Sequence, residues 1–81
     1  MKKEILHRVE IIAVGSELLT PYFQDTNSLY LTSRLNDIGW TVAFKTIVGD
    51  DVQDLSLRVR EALRRTELVM IIGGLGPTGD D

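Results

Sequence analysis

The sequence VEIIAVG, at residues 9–15, decides the fold of this 81-residue chain. It is short, rich in β-branched residues and ended by Gly15, which is the pattern of a β-strand over residues 9–14. The chain beyond it alternates between helical and strand-like apolar spacing. That alternation predicts a sheet whose strands are separated by helices, and it therefore assigns the chain to the α/β class.

A helix is predicted after the segment DTNS at residues 25–28, which offers several N-cap candidates. Leu31, Leu35 and Ile38 follow at the spacing i, i+4 and i+7, with Leu29 alongside. Gly39 stands where a glycine that ends a helix belongs.

A second strand is predicted over residues 41–48, because its residues alternate. One set is expected to share a face: Val42, Phe44, Thr46 and Val48. Lys45 on the other face suggests a position near the sheet edge. Asp51 is expected to cap a second helix with Arg64 and Arg65 in its last turn, where cations favour the helix dipole. The apolar stripe of this helix is Val52, Leu55, Val59, Ala62 and Leu63, and the arginines lie mostly outside it.

The third strand, residues 68–72, is continuously apolar, as expected for a strand buried on both faces. The order β-α-β-α-β implies parallel pairing through right-handed crossovers. The first and third strands should be the most buried, which gives the strand order 2-1-3 with one helix on each face. The predicted architecture is three-layer α/β/α with a mainly parallel sheet. Ligands of such sheets bind in a crevice at the carboxyl ends of the strands.

Composition limits the function classes. Apolar residues make up 43% of the chain and charged residues 26%, a globular balance that allows one domain at most over residues 1–81. The net charge of −3 argues against a nucleic-acid binder. Cysteine is absent, and neither a leader peptide nor a membrane span is recognisable, so a cytoplasmic protein without membrane contact is expected. The exposed apolar sheet edge predicts that these residues are the front part of a longer domain.

Three loops at strand ends carry candidate chemistry. In the first, Gly15 permits a close backbone approach, Ser16 can donate to a phosphate, and Glu17 can bind a metal ion or a sugar hydroxyl. The second, at residues 49–51, has two acids that can hold a hard cation, although capping by Asp51 explains one of them. The third, GGLGPTGDD at residues 73–81, can cradle phosphate oxygens with its amides.

The third loop formally matches the dinucleotide fingerprint GxGxxG. That fingerprint belongs after the first strand and opens a helix, whereas here it follows the third strand, Pro77 interrupts it, and two acids close it. The sequence contains no Gly-Lys-Ser/Thr, which excludes a P-loop. The only histidine, His7, precedes the first strand and is expected to be structural or exposed. Trp40 and Phe44 are expected to pack and not to stack on a ligand.

These motifs together resemble a known family. IIAVGSELL, then DTNS followed by LxxxLNDIGW, a strand ending VGDD, and IIGGLGPTGDD look like the opening of the CinA family of competence/damage-inducible proteins. The N-terminal domain of that family resembles the molybdopterin-binding domain of molybdenum-cofactor biosynthesis proteins. The resemblance covers residues 9–81. Leu75 stands where the molybdopterin branch typically has threonine, which favours the CinA branch.

The resemblance implies a fold, an activity and a site. The implied activity is the metal-dependent hydrolysis of the pyrophosphate in ADP-ribose, with Mg²⁺ or a similar divalent cation. The alternative is a binding module for molybdopterin or a nucleotide phosphate, without hydrolysis. The implied partner is ADP-ribose or a pterin phosphate, and the full-length protein is expected to be a homo-oligomer. The catalytic candidates are Asp50, Asp51, Asp80 and Asp81, of which Asp50 and Asp81 are the metal candidates. The residues expected to bind the ligand are Gly15, Ser16, Glu17, Asn27, Gly73, Gly74, Gly76, Pro77 and Thr78.

Overall fold

The structure, a computed structural model, describes residues 7–73 of the chain. Five regular elements follow one another: β1 (Arg8–Val14), α1 (Thr26–Asp37), β2 (Thr41–Val48), α2 (Val52–Arg65) and β3 (Leu68–Gly73). A single turn of 3-10 helix, Ser16–Leu19, lies between β1 and α1. The predicted β-α-β-α-β order is confirmed. Among residues 7–73, no helix is long and apolar enough to cross a membrane.

The sheet is parallel throughout and has the strand order β2-β1-β3, as predicted. The two helices cover opposite faces of it. Leu35 of α1 packs against Val9 and Ile11, whereas Ala62 of α2 packs against Ile12. Because side chains alternate along a strand, the central strand β1 supplies both clusters, and its residues from Val9 onward are buried. The predicted three-layer arrangement is therefore confirmed.

Both helices begin at an aspartate. The Asp25 side chain accepts a hydrogen bond from the Ser28 amide, and the Asp51 side chain accepts from two amides of α2. These bonds satisfy amides that have no partner within the helix. At the other end of α1, Gly39 has a φ of +93°, which is the left-handed conformation that suits glycine after a helix.

Val42 lies on the opposite face from the one predicted. The register between β1 and β2 shifts, so that Val9 pairs with Val42 but Glu10 pairs with Phe44. The extra residue, Ala43, makes a β-bulge. Because the side-chain period is two, the bulge places Val42 in the cluster under α1, while Phe44 stays on the face that α2 covers.

The prediction that β3 is among the most buried strands is wrong for the described residues. None of the residues of β3 is fully buried, and Ile71 is 38% exposed. β1 has a hydrogen-bonded neighbour on both sides, whereas β3 has β1 as its only neighbour among residues 7–73. Position in the sheet therefore outweighs apolar content in deciding how far β3 is buried. The ends of the two helical stripes are also exposed, at Leu29, Ile38, Val52 and Leu63.

Arg65, in the last turn of α2, makes a contact that the helical pattern did not predict. It folds back from the end of α2 onto the sheet, where its guanidinium donates two hydrogen bonds of 2.9 Å to the carboxylate of Glu10. Thr46 donates a third hydrogen bond to this carboxylate, at 2.6 Å, and the Phe44 ring stacks under the guanidinium. A buried charge is tolerated when it is paired and fully hydrogen-bonded, and these contacts satisfy Glu10.

Candidate functional site

A cleft of about 310 Å³ opens at the carboxyl ends of β1 and β3. Its floor is formed by the last residues of the two strands, and its walls come from the 3-10 turn and from the start of α1. Its lining residues are Ala13, Val14, Glu17, Leu18, Gln24, Asp25, Thr26, Asn27, Ile72 and Gly73. This is the position at which open parallel sheets bind ligands, because the loops after neighbouring strands diverge there. The predicted crevice is thus present.

Gly73 makes the floor of the cleft possible. Its φ is +122°, and a Cβ atom at this position would collide with the backbone carbonyl of Val14. Glycine is the one residue that adopts this φ without a steric penalty and leaves room for the neighbouring strand. The ends of β1 and β3 can therefore lie against each other, and the backbone at Gly73 is open to the cleft.

The start of α1 forms the polar wall. Thr26 and Asn27 occupy the first two positions of the helix and line the cleft. Amides in the first turn of a helix have no acceptor within it, and the helix dipole makes this end partially positive. Such an end favours phosphate oxygens. The Ser28 amide, by contrast, already donates to Asp25 at 3.1 Å.

Two carboxylates also line the cleft, those of Glu17 and Asp25. The Asp25 carboxylate is committed to its capping hydrogen bond, whereas Glu17, in the 3-10 turn, is exposed. A bare phosphate beside Glu17 would be repelled, so an anionic ligand here needs a cation or a contact that keeps its charge near the helix end. The cleft therefore combines the polar wall at the start of α1 with a carboxylate, that of Glu17, in the 3-10 turn. This turn is its acidic wall.

The loops after β1 and β2 are joined beside the cleft. The Gly15 amide donates to the Val48 carbonyl at 2.8 Å, and the Asp50 amide donates to the Ser16 hydroxyl oxygen at 3.0 Å. In return, the Ser16 amide donates to a carboxylate oxygen of Asp50 at 3.3 Å. Ser16 and Asp50, which the sequence placed in different loops of one site, are therefore in direct contact.

Asp51 has a structural task in α2. Its carboxylate accepts hydrogen bonds from the amides of Gln53 and Asp54, at 2.8 and 3.0 Å. An N-cap of this kind accounts for the residue without chemistry. A catalytic role for Asp51 stays a prediction, and its carboxylate would have to serve a ligand in addition to the helix.

The predicted site residues divide into three groups. Glu17, Asn27 and Gly73 line the cleft. The second group belongs to the neighbouring contact between the loops after β1 and β2 and to the cap of α2: Gly15, Ser16, Asp50 and Asp51. A third group lies outside the described residues: Gly74, Gly76, Pro77, Thr78, Asp80 and Asp81. The sequence did not single out several further cleft residues: Leu18, Gln24, Asp25 and Thr26. The available signal was their position after β1, in the loop and the first helix turn. That loop was already a candidate for the ligand site.

The described part of the cleft offers few ligands for the predicted divalent cation. Among residues 7–73, no group of three acidic or histidine side chains could hold a metal ion. Glu17 does present an exposed carboxylate in the cleft. Mg²⁺ is often held by one or two carboxylates together with substrate phosphates and waters. Glu17 therefore fits a cation that arrives with a phosphorylated ligand, but not one held by the described residues alone.

A parallel α/β domain with a ligand cleft at its strand ends is the class that the fold and the site define. Residues 10–81 match the protein family described as "Probable molybdopterin binding domain", and the chain belongs to that family. This confirms the resemblance drawn from the four motifs.

Individual relatives agree with the family. A CinA-like protein of Acidobacterium capsulatum is 65% identical over 72 residues, 89% of this chain and 17% of that protein. Protein PH0439 of Pyrococcus horikoshii is 50% identical over 78 residues, 95% of this chain and 31% of that protein. The crystal structure of the protein CinA with unknown function from Thermoplasma acidophilum has a TM-score of 0.84 and 33% identity, covering 90% of this chain and 43% of that one. The chain thus spans less than half of each of these relatives.

Proposed function

We propose that the cleft binds a phosphorylated small molecule and that the protein hydrolyses the pyrophosphate of a nucleotide sugar such as ADP-ribose. The observation that carries the proposal is the composition of the cleft. The start of α1, where the first amides have no acceptor within the helix, lines the same cleft as the ends of β1 and β3 and the exposed residue Glu17. Donors for phosphate oxygens and a carboxylate for a cation or a water molecule are what pyrophosphate chemistry requires.

In this proposal, the amides of Thr26 and Asn27 hold non-bridging phosphate oxygens, and the open backbone at Gly73 lets the ligand approach the sheet. Water adds across the P–O–P bond and yields AMP and ribose 5-phosphate. A divalent cation, when bound, would neutralise the charge that develops on the leaving phosphate. Glu17 is the described residue best placed to hold it, and Asp81 remains a candidate from the sequence, whereas the Asp50 carboxylate already accepts from the Ser16 amide. A cytoplasmic location and a homo-oligomer also remain parts of the proposal.

The experiment is an assay of the full-length protein with ADP-ribose, with and without Mg²⁺ or Mn²⁺, in which AMP release is followed. Turnover that depends on the cation is expected, and Glu17→Gln is expected to reduce it because the variant removes the cleft carboxylate. Asp37→Asn is the matched control: it also removes one carboxylate charge, but from the exposed end of α1. Absence of turnover with every divalent cation tried would contradict the hydrolase proposal.

A second function is supported by the family itself, which is described as probable molybdopterin binding. In that case the same cleft binds a pterin phosphate or a nucleotide phosphate without chemistry. Calorimetry separates the two proposals. Binding of ADP-ribose together with AMP release supports the hydrolase, whereas binding of either ligand with no product supports the binding module.

A further inference from the structure

We propose that Asp50 is a positioning residue, which fixes the 3-10 turn Ser16–Leu19 against the end of β2 by accepting a hydrogen bond. This inference rests on the proposed function only in its assumption that the cleft is the ligand site. It replaces the role of metal ligand that the sequence suggested for Asp50. What the position requires is then an oxygen acceptor, and its negative charge is dispensable.

The first step of the argument is that Asp50 acts on the first residue of the turn. The Ser16 amide donates to the Asp50 carboxylate, and the Asp50 amide donates to the Ser16 hydroxyl oxygen, so each residue both donates and accepts. The Gly15 amide adds a bond to Val48 one residue earlier. Gly49 is close enough that a Cβ there would lie 3.3 Å from the Ser16 hydroxyl oxygen. The turn is thus held at its start from the β2 side.

The second step is that the residues after Ser16 form the acidic wall. Glu17 and Leu18 line the cleft, whereas Ser16 and Asp50 do not belong to its lining. The turn continues through hydrogen bonds from Leu18 to Gly15 and from Thr20 to Glu17. Its orientation therefore depends on where its first residue is held. None of the four residues of the turn is buried, so packing holds the turn only weakly. Its orientation therefore depends more on its hydrogen bonds.

The third step separates an acceptor from a ligand. A carboxylate that accepts from a neighbouring amide orients that amide, and an asparagine oxygen at the same position can accept in the same way. A group that acts through its negative charge, by contrast, is weakened about equally by Asp50→Asn and Asp50→Ala, because both variants remove the charge. If Asp50 acts as an acceptor, Asp50→Ala consequently causes a larger loss than Asp50→Asn. If it acts through its charge, the two variants cause similar losses.

The test uses both variants in the full-length protein, with ADP-ribose as the ligand probe. Asp50→Ala is expected to weaken ADP-ribose binding about tenfold, as when a hydrogen bond to a charged group is lost, and Asp50→Asn by less than about threefold. Asp37→Asn is the control for the loss of one carboxylate charge. Equal losses in Asp50→Asn and Asp50→Ala would overturn the proposal, because they would show that the charge is what matters.

A second readout does not depend on any ligand. Hydrogen exchange of the Ser16 amide is expected to become about tenfold faster in Asp50→Ala and to stay near the wild-type rate in Asp50→Asn. An unchanged Ser16 rate in Asp50→Ala would overturn the proposal even if binding changed. If the protein does not bind ADP-ribose at all, the proposed function fails, while the exchange rates still decide the role of Asp50.

Discussion

Arg65, the last residue of α2, holds the buried carboxylate of Glu10 at the centre of the sheet through two hydrogen bonds of 2.9 Å. Glu10 has no exposed surface, and within residues 7–73 no buried side-chain polar atom lacks a partner. Arg8 ties the same region together by donating to the Arg65 carbonyl at 3.1 Å. The Arg65–Glu10 pair joins α2 to the sheet on the face opposite the one covered by α1.

The pair predicts that Arg65→Met destabilises the protein. The variant keeps an apolar stem of similar length but leaves Glu10 with a single hydrogen-bond donor, that of Thr46. A buried carboxylate that loses its cation is costly, and the melting temperature is expected to fall by about 10 °C or more. Arg64→Met, at an exposed neighbouring position, is the control and should melt near the wild-type temperature. Equal melting temperatures for both variants would contradict this account.

The same pair predicts how stability changes with pH. Burial opposes ionisation of Glu10, but the hydrogen bonds from Arg65 and Thr46 and the Arg65 charge outweigh it, so the pKa of Glu10 lies below its ordinary value of 4.5. The folded state therefore binds this proton less readily than the unfolded chain. The stabilisation is complete above the ordinary pKa and is lost as the pH falls through the folded-state pKa.

The measurement for this prediction compares melting curves of the wild type and of Glu10→Gln. The difference in melting temperature is expected to be largest near neutral pH and to shrink progressively as the pH falls below 4.5, the ordinary pKa of the carboxyl. Asp37→Asn should show no such trend, because Asp37 is exposed and has no part in the pair. A difference that stays constant or grows on acidification would rule out the stated role of Glu10.

Gly73→Ala is predicted to destabilise the protein at the floor of the cleft. The new Cβ would meet the Val14 carbonyl, and the φ of +122° adds backbone strain. We expect a loss of at least about 2 kcal/mol in the free energy of unfolding. Gly39→Ala is a matched control, since its φ is +93° but its Cβ would have no atom within 4 Å. Urea unfolding measures both, and a larger loss for Gly39→Ala would contradict the close approach at Gly73.

Asp51→Ala is predicted to lower stability by about 1 kcal/mol, because two amides of α2 lose their cap. Asp51→Ser is expected to keep most of that stability, since serine is also a good N-cap. Both variants should bind ADP-ribose like the wild type if capping is the whole role of Asp51. Loss of binding in Asp51→Ser with stability retained would instead support the catalytic role suggested by the sequence.

Much of the fold could be predicted from the spacing of apolar residues and from the glycines and capping residues that bound helices and strands. The strand order follows from the apolar content of residues 9–14 together with the helices between the strands, and Gly39 marks the end of α1 as expected. The bulge at Ala43 could not be predicted, because it depends on how β2 pairs with β1 and changes no residue type. The position of Arg65 was missed for a related reason: its partner, Glu10, is 55 residues away in the chain.

The candidate site was predictable at the level of loops. Glu17 and Gly73 stand at or just after strand ends, Asn27 is implied by the family resemblance, and all three line the cleft. The roles of Ser16 and Asp50 depend on a contact across 34 residues, which single-sequence reasoning cannot provide. For Asp51, capping and catalysis require the same residue type at the same place, so the sequence could not separate them.

The measurement that tests the central claim most directly is an NMR titration of the isotopically labelled protein with ADP-ribose. We expect saturable shifts centred on the backbone amides of Asn27, Glu17 and Gly73, which surround the cleft. The exposed outer surface of α2, represented by Arg60 and Arg64, should be unaffected. Shifts confined to α2, or no saturable shift at the cleft, would contradict the assignment of the cleft as a phosphate-ligand site.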